Sequence, residues 1–211
     1  MFITLEGPEG SGKTSQLSAF ADFLREQGYE VLTTREPGGT AIGDQIRQIL
    51  VSMENKNLHP RTEIMLFLSA RAQLVEQVIK PALSNGKIVV CDRYGDSTLA
   101  YQGYGHGLPL ETLRKMLGFA TDGLKPELTL YLDLEVEVGL LRKKKEQEWN
   151  RLDAYEAAFH RRVRQGYLTM AAAEPERWKV IDASQPKDDV QRDMRKVALE
   201  ALENCKFNPR L

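Results

Sequence analysis

The residues with the clearest chemical potential form a glycine-rich run near the N-terminus, Gly7-Pro8-Glu9-Gly10-Ser11-Gly12-Lys13-Thr14. This run matches the pattern G-x-x-x-x-G-K-[ST] of phosphate-binding loops. Glycine allows backbone N–H groups to surround a phosphate, and the N-terminus of a following helix adds partial positive charge. We expect Lys13 to contact the β- and γ-phosphates of ATP and the Thr14 hydroxyl to ligate Mg²⁺. The predicted ATP-binding residues are Gly7, Gly10, Ser11, Gly12, Lys13, Thr14 and Ser15.

Such a loop is shared by kinases, GTPases, ATPases and motors, so other residues must separate these classes. Recognition of guanine by a switch GTPase would need an Asn-Lys-x-Asp stretch, which the sequence lacks. The stretch Asp92-Arg93-Tyr94 instead follows a predicted strand, at the sheet edge where α/β proteins bind ligands. Arg35-Glu36-Pro37-Gly38-Gly39-Thr40 ends another strand and could receive a second substrate beside the first. These features favour a kinase.

Five short β-rich runs alternate with helical patterns and would position this chemistry. The alternation predicts an α/β fold, a five-stranded parallel sheet with helices on both faces. No linker or internal repeat divides the chain, so residues 1–211 are expected to form one domain. The predicted strands are Phe2–Glu6, Val31–Thr34, Lys87–Cys91, Leu128–Asp133 and Lys179–Ile181.

Apolar residues recur at helical spacing between the strands and predict helices that pack into the core. Gly28 is expected to cap the first helix at its C-terminus. A long helix is expected from Glu63 to Leu83. The other apolar stripes are Leu17, Phe20, Ala21 and Leu24; Ile42, Ile46, Ile49 and Leu50; Leu110, Leu113, Leu117 and Ala120; Tyr155, Phe159 and Val163; and Val190, Met194, Val197 and Ala201.

The composition excludes other classes of function. Lys and Arg total 29 against 30 Asp and Glu, a net charge of -1, so neither nucleic acid nor an anionic membrane is an expected partner. No run of 18 apolar residues occurs and no signal peptide is visible, so we expect a cytoplasmic protein. Cys91 is expected to be a small buried hydrophobe. The three histidines lack metal-ligand spacing, and no metal cage built from protein side chains is expected.

Taken together, the glycine-rich run, Arg35–Thr40, Phe67–Arg71, Asp92–Tyr94 and Ser97–Gly103 resemble the thymidylate kinase family. The resemblance covers almost the whole chain. It implies a three-layer P-loop NTPase sandwich, a homodimer formed by helices, and phosphorylation of dTMP to dTDP with ATP and Mg²⁺.

The resemblance also implies which residues bind dTMP. Phe67 would stack on thymine, and Arg71 would hold the base or the acceptor phosphate. Tyr101 and Gln102 would pack against the deoxyribose and line the base pocket, where Thr98 would face the base. The full set of predicted substrate residues is Glu36, Pro37, Phe67, Arg71, Arg93, Ser97, Thr98, Tyr101 and Gln102.

Catalysis of phosphoryl transfer needs positive charge around the transferred group more than covalent chemistry. Lys13, Mg²⁺ and Arg93 are the expected first sources of that charge. By resemblance, Glu9 would orient the acceptor site, and Asp92 would orient a water molecule bound to Mg²⁺. Thr14 and Asp92 are therefore the predicted metal-site residues.

A basic segment at 142–153 lies where the family has a mobile lid. Arg142 is expected to bind ATP, and Arg151 is expected to contact the transition state, because its planar guanidinium matches two phosphate oxygens. The segment departs from the family pattern: lysines replace common arginines, and the usual glycine before the last arginine is missing. Residues 182–186 lie where the family backbone approaches adenine.

Two alternatives stay open at this stage: a kinase for another nucleotide or nucleoside, and a nucleotide-binding module without turnover. The molecule that accepts the phosphoryl group distinguishes these alternatives from a kinase for dTMP. We expect dTMP to give a higher kcat/KM than UMP, AMP or thymidine in a coupled assay, because Phe67, Arg71 and Tyr101 together resemble a thymidine monophosphate site. Equal or faster turnover of UMP would refute this assignment.

Overall fold

A parallel sheet of five strands forms the centre of the structure, a computed structural model that describes residues 1–145 and 150–205. The strand order is β2-β3-β1-β4-β5, and every neighbouring pair is parallel. The chain reverses its direction of travel across the sheet beside β1, so the carboxyl end of β1 lies at the switch point where such sheets bind ligands. The strands are β1 Phe2–Glu6, β2 Val31–Arg35, β3 Ile88–Asp92, β4 Leu128–Asp133 and β5 Trp178–Asp182.

All five predicted strands are present, and the expected fold class is confirmed. Strands β1 and β4 have the predicted bounds, β2 extends one residue further at its C-terminal end, and β3 and β5 differ by one residue at both ends. The difference at β3 matters because the strand includes Asp92, which the sequence placed just beyond it. Asp92 pairs in register with Leu5 on β1 and Arg35 on β2, so the rigid sheet fixes its position.

Helices connect the strands and cover both faces of the sheet. Gly28 has a positive φ of 87° directly after the first helix, as the C-cap prediction required. The helices are α1 Lys13–Glu26, α2 Ala41–Val51, α3 Pro60–Leu74, α4 Lys80–Ser84, α5 Gly95–Thr98, α6 Leu110–Thr121, α7 Val136–Lys145, α8 Ala157–Ala173 and α9 Lys187–Asn204.

Alternate residues of the strands face two different helical layers. Ile3 and Leu5 on β1 pack with α1 and α9 on one side of the sheet. Phe2, on the other side, packs with the long helix that begins at α3. Glu6 continues the Phe2 side of the strand and is fully buried. A carboxylate therefore lies beneath the carboxyl end of the sheet.

Two π-helical turns interrupt the helices. The first, Val75–Ile79, joins α3 to α4, where the N–H of Lys80 donates to the carbonyl oxygen of Val75. The wider turn accommodates Pro81, which lacks an N–H and would clash in a regular helix. The predicted helix from Glu63 to Leu83 thus lies within one continuous helical segment that runs from α3 through the π-helical turn to α4. The second π-helical turn, Leu99–Gly105, follows α5 and carries Tyr101 and Gln102.

One prediction of core packing is wrong. Ile42 and Ile49 on α2 are 52% and 45% exposed, whereas Leu50 on the same helix is fully buried. Helical spacing identifies an apolar face but not what covers it, and only part of this face meets the core. Within the described ranges, no helix has both the length and the apolar character needed to cross a membrane.

Candidate active site

The glycine-rich loop joins β1 to α1 and uses conformations that other residues rarely adopt. Gly10 and Gly12 have φ values of 69° and 88°, and Gly12 is the N-cap of α1. A side chain at Gly7 would place its Cβ 2.6 Å from the carbonyl oxygen of Leu132 on β4. The loop therefore depends on glycine both for its backbone torsions and for its close packing on the sheet.

Gly10 also touches the backbone of α7. A Cβ at Gly10 would lie 2.1 Å from the carbonyl oxygen of Gly139, and a Cβ at Gly139 would lie 2.1 Å from that of Glu9. Neither position tolerates a side chain without movement of the backbone. The start of the basic segment is thus packed directly against the phosphate loop.

Lys13 begins α1 and directs its ammonium back into the loop. Its Nζ donates to the carbonyl oxygens of Gly7 and Pro8 at 3.0 and 2.9 Å, and to the Ser11 hydroxyl at 3.2 Å. Burial, followed by the nearby charge of Arg93, lowers the pKa of Lys13 to about 8. The protein therefore balances the positive charge of the ammonium only in part, and an additional anion would stabilise the charged form.

Thr14 and Asp92 meet at the predicted metal site. The Thr14 hydroxyl donates to Oδ2 of Asp92 at 2.8 Å. The other carboxylate oxygen, Oδ1, is buried and has no hydrogen-bond partner in the described parts of the chain. An orphaned carboxylate oxygen beside a hydroxyl fits the oxygen-rich surroundings that Mg²⁺ prefers.

Arg93 follows β3 in a left-handed conformation, with φ of 68°, which costs a non-glycine residue about 1 kcal/mol or more. This conformation directs the guanidinium toward the glycine-rich loop. Its Nη1 donates to the carbonyl oxygen of Gly7 at 3.1 Å, and its Nη2 donates to Oε1 of Glu9 at 2.7 Å and to the Tyr101 hydroxyl at 3.1 Å. The strained backbone thus links the loop to the second π-helical turn.

Glu9 is held by charge and hydrogen bonding. Its Oε1 also accepts from the Tyr101 hydroxyl at 2.7 Å. Burial alone would raise the pKa of Glu9, but the charges of Arg93 and Lys13 outweigh it and hold the pKa at about 2. Glu9 is therefore ionised throughout the neutral range.

Beneath Arg93 lies a polar cluster in which Ser97 was predicted as a site residue and Glu6 and Tyr167 were not. Glu6 accepts hydrogen bonds from the hydroxyls of Ser97 and Tyr167 at 2.6 and 2.8 Å. Both hydroxyls in turn accept from Nη1 of Arg93, at 3.3 and 3.2 Å. Burial, followed by the charge of Asp96, raises the pKa of Glu6 to about 7. A carboxylate ending an otherwise apolar strand was the available signal for Glu6, whereas Tyr167 gave none.

Arg71 lies on α3 and is 1% exposed. It forms a bidentate pair with Glu36, with Nε and Nη2 both within 3.0 Å of the carboxylate oxygens. Nη1 donates to the Thr98 hydroxyl at 2.9 Å, and Nη2 also donates to the carbonyl oxygen of Tyr94 at 3.1 Å. Guanidinium has five N–H groups, and these contacts leave one Nη1 hydrogen without an acceptor among residues 1–145 and 150–205.

A cavity of about 690 Å³ joins these groups. That volume suits a small-molecule site. It brings most of the residues predicted to bind ATP or dTMP to one space, together with several residues to which no individual role was assigned. The predicted residues in its lining are Glu9, Gly10, Gly12, Lys13, Thr14, Ser15, Glu36, Pro37, Phe67, Arg71, Asp92, Arg93, Ser97, Thr98, Tyr101 and Gln102; the additional ones include Arg35, Arg47, Val51, Lys143, Asn150 and Leu152.

Arg47 is the most informative of the additional residues. It lies on α2, and its Nη1 donates to the carbonyl oxygen of Pro37 at 3.0 Å. Burial, followed by the charge of Arg35 and, to a lesser extent, that of Arg93, lowers the pKa of Arg47. Arg35 and Arg93 thus act unfavourably on the Arg47 charge, whereas the carboxylates of Asp92 and Asp44 act in the opposite direction. A cation that burial and neighbouring cations disfavour in this way would be stabilised by an additional anion.

Four predicted residues lie outside the cavity lining: Gly7 and Ser11 in the glycine-rich loop, and Arg142 and Arg151 in the predicted lid. Nη1 of Arg142 is 3.5 Å from the carbonyl oxygen of Gly10 and 3.3 Å from that of Ala183, which lies in the predicted adenine segment. Arg151 points elsewhere: its Nε donates to the carbonyl oxygen of Leu50 at 2.8 Å and its Nη2 to Glu63 at 2.5 Å. Lid residues 146–149 lie outside the described ranges.

A family model described as thymidylate kinase matches residues 5–194. The chain belongs to the thymidylate kinase family. It is 47% identical to a thymidylate kinase of Herpetosiphon aurantiacus, over 92% of this chain and 93% of that protein. It is 50% identical to one of Roseiflexus castenholzii, over 88% of this chain and 86% of that protein. A crystal structure of thymidylate kinase from Ehrlichia chaffeensis matches with a TM-score of 0.76 and 33% identity, over 94% of this chain and 98% of that one.

Membership of this family confirms the functional prediction. Thymidylate kinases phosphorylate dTMP to dTDP with ATP as the co-substrate, and they are nucleoside monophosphate kinases. The two alternatives that the sequence left open, a kinase for another nucleotide or nucleoside and a binding module without turnover, are thereby set aside. The roles of individual residues stay predictions.

The buried pair of Arg151 and Glu63 generates a stability prediction. Arg151→Ala is expected to lower the free energy of unfolding by about 3–5 kcal/mol, because Glu63 would be left as a buried, unpaired charge. Arg161→Ala is the matched control: Arg161 and its partner Glu137 are both exposed, and loss of such a pair costs about 0–1 kcal/mol. Urea unfolding of both variants measures the difference, and equal midpoints for the two would contradict it.

Proposed function

We propose that ATP binds along the loop Gly7–Ser15, that dTMP binds against α3 and the second π-helical turn, and that the γ-phosphoryl group passes between them within one cavity. The observation that carries this proposal is the lining of that cavity, which includes both Lys13 and Phe67. In-line transfer requires that the residues that bind ATP and those that bind dTMP face the same space.

Donor binding uses the backbone N–H groups of the loop and the Lys13 ammonium. Lys13 now donates to oxygen atoms of its own loop. In the proposed complex it exchanges those carbonyl contacts for phosphate oxygens, which carry full negative charge and are stronger acceptors. Arg142, near Gly10 and Ala183, is proposed to line the path of the nucleotide toward its adenine.

The acceptor phosphate is proposed to lie among Arg35, Arg47 and Arg93. An anion there would offset the burial and the charges of Arg35 and Arg93, which together lower the pKa of Arg47. Glu9 holds Arg93 in place and keeps its negative charge beside the reacting phosphates. That charge disfavours binding of an anion too close to the loop, so Glu9 helps to place the acceptor.

The thymine base is proposed to lie between Phe67, Arg71, Thr98 and Gln102, all of which line the cavity. Phe67 offers a flat apolar face for stacking. Arg71 keeps one N–H for a carbonyl oxygen of the base, while Glu36 and Thr98 fix the rest of its guanidinium. The Tyr101 ring, clamped by Arg93 and Glu9, is proposed to pack against the deoxyribose.

Thr14 and Asp92 are proposed to hold Mg²⁺, since the hydroxyl and the orphaned carboxylate oxygen fit that ion. When bound, Mg²⁺ neutralises charge on the β- and γ-phosphates. Asp92→Asn should raise the Mg²⁺ concentration needed for half-maximal activity, and an unchanged requirement would remove Asp92 from the site.

The segment 142–153 is proposed to act as the lid, and Arg151 can serve the transition state only by leaving Glu63.

A homodimer is proposed through α2, α3 and α6, which pack beside one another. Large apolar side chains are exposed on all three helices: Ile42, Ile49, Met65 and Phe119, the last 93% exposed. Burial of such residues against a second copy would stabilise the pair. Sedimentation equilibrium tests this, and a monomer at micromolar concentration would contradict it.

We also propose a cytoplasmic location, which the free thiols of Cys91 and Cys205 support. We propose that the protein acts without nucleic acid or membrane partners.

The acceptor-phosphate site can be tested at Arg47. Arg47→Ala should raise the KM for dTMP by about 10- to 100-fold, the range expected for loss of a hydrogen bond to a charged group, while the KM for ATP stays close to its original value. Steady-state kinetics with each substrate varied in turn measure both constants. Arg25→Ala, which removes an exposed guanidinium paired with Asp22, is the control. An unchanged KM for dTMP would place the acceptor phosphate elsewhere.

A further inference from the structure

Glu63 is a buried carboxylate to which the mechanism above gives no role. It lies on α3, is 1% exposed, and is not part of the cavity lining. Its Oε1 accepts from Nε2 of Gln102 at 2.8 Å. Its Oε2 accepts from Nη2 of Arg151 at 2.5 Å and from the Tyr155 hydroxyl at 3.1 Å. One acidic side chain thus joins α3, the second π-helical turn and the segment before α8.

The charge of Glu63 is well defined. Burial raises its pKa, but the neighbouring imidazole of His106, whose Nε2 lies 3.7 Å from Oε1, and hydrogen bonds from Arg151 and Gln102 outweigh the burial and hold the pKa at about 2. Glu63 is therefore ionised at neutral pH. An ionised carboxylate accepts hydrogen bonds and cannot donate them.

This charge determines how the Gln102 amide is oriented. The amide has a donor end, Nε2, and an acceptor end, Oε1, and its partners decide which end points where. Only Nε2 can face a carboxylate, as observed. Gln102 is 2% exposed and lines the cavity beside Arg71 and Thr98. With Nε2 held by Glu63, the carbonyl oxygen Oε1 is the end available to a ligand in the cavity.

An amide oxygen at this place distinguishes pyrimidine bases by chemistry. Thymine and uracil carry an N3–H donor and a carbonyl oxygen at C4, whereas neutral cytosine has an N3 acceptor and an amino group at C4. The Gln102 oxygen would accept from N3–H, and the remaining Arg71 N–H would donate to the C4 carbonyl. Cytosine would present an acceptor to the acceptor and a donor to the donor, leaving buried polar groups unpaired.

We propose that Glu63 is a positioning residue that fixes Gln102 with its carbonyl oxygen toward the base and thereby sets the preference for dTMP over dCMP. The proposal rests on the proposed place of Gln102 in the thymine pocket. Its geometry is favourable because Glu63, Phe67 and Arg71 are spaced four residues apart on α3 and so lie close to one face of the helix. Arg151 and Tyr155 hold the carboxylate through its other oxygen, Oε2.

The experiment measures kcat/KM for dTMP, dUMP and dCMP in the parent protein and in Glu63→Gln. A neutral amide at position 63 accepts or donates, so it no longer dictates the orientation of Gln102. We expect the dTMP-to-dCMP ratio of kcat/KM to fall at least about tenfold, as for the loss of one oriented hydrogen bond. The dTMP-to-dUMP ratio should stay constant, since both bases carry N3–H. A purely structural defect would lower all three values together, and that result would overturn the proposal.

Two further variants make the interpretation unambiguous. Tyr155→Phe removes a different donor to Glu63 but leaves the Gln102 contact, so its dTMP-to-dCMP ratio should equal that of the parent. Gln102→Leu should lower the ratio, and Glu63→Gln should add nothing further in that background. If Gln102→Leu leaves the ratio unchanged, the proposed place of Gln102 is wrong. If it lowers the ratio and Glu63→Gln does not, only the role of Glu63 is wrong.

A last pair of variants covers the case in which Glu63→Gln fails to fold, since it leaves the Arg151 guanidinium buried without its counter-ion. The double variant Glu63→Gln/Arg151→Gln removes both charges, which proteins tolerate better than the loss of one. It is compared with Arg151→Gln, which keeps Glu63. Any effect of Arg151 on phosphoryl transfer applies to every acceptor and cancels in the ratio. A lower dTMP-to-dCMP ratio in the double variant supports the proposal, and equal ratios overturn it.

Discussion

The contact between Arg93 and the phosphate loop is the interaction on which the rest of the site depends. One guanidinium bonds to the Gly7 carbonyl, to the Glu9 carboxylate and to the Tyr101 hydroxyl. It thereby sets the distance between the loop proposed to bind ATP and the helical turn proposed to face dTMP. The left-handed backbone at Arg93 is the conformational cost of this arrangement. The polar cluster of Glu6, Ser97 and Tyr167 supports the same guanidinium from below.

Local features were predictable from the sequence, and features that depend on distant pairing were not. The glycine-rich loop and the five strands follow from short-range patterns, since torsional freedom and buried apolar runs are properties of neighbouring residues. Resemblance to a family supplied Phe67, Arg71 and Gln102. Arg47 was missed because a guanidinium on a helix gives no sign of the cavity that it faces. Glu6 was missed because the residues of a buried strand are expected to supply apolar side chains to the core.

Arg151 and α2 show why the remaining features could not be foreseen. The charges around 142–153 suggested a surface that reaches for phosphates, yet Arg151 is buried against Glu63, a residue 88 positions earlier in the chain. The apolar stripe on α2 suggested core, yet Ile42 and Ile49 are exposed. In each case the sequence defines the chemistry of a face, and only the tertiary arrangement defines what that face meets.

The close approach of Gly10 and Gly139 has a mechanical consequence. Because the two backbones touch without intervening side chains, the first turns of α7 are held against the glycine-rich loop. If the basic segment that follows moves as the proposed lid, its movement would begin beyond Gly139. Arg142 and Lys143, within about one turn of Gly139 on α7, would then stay close to the loop.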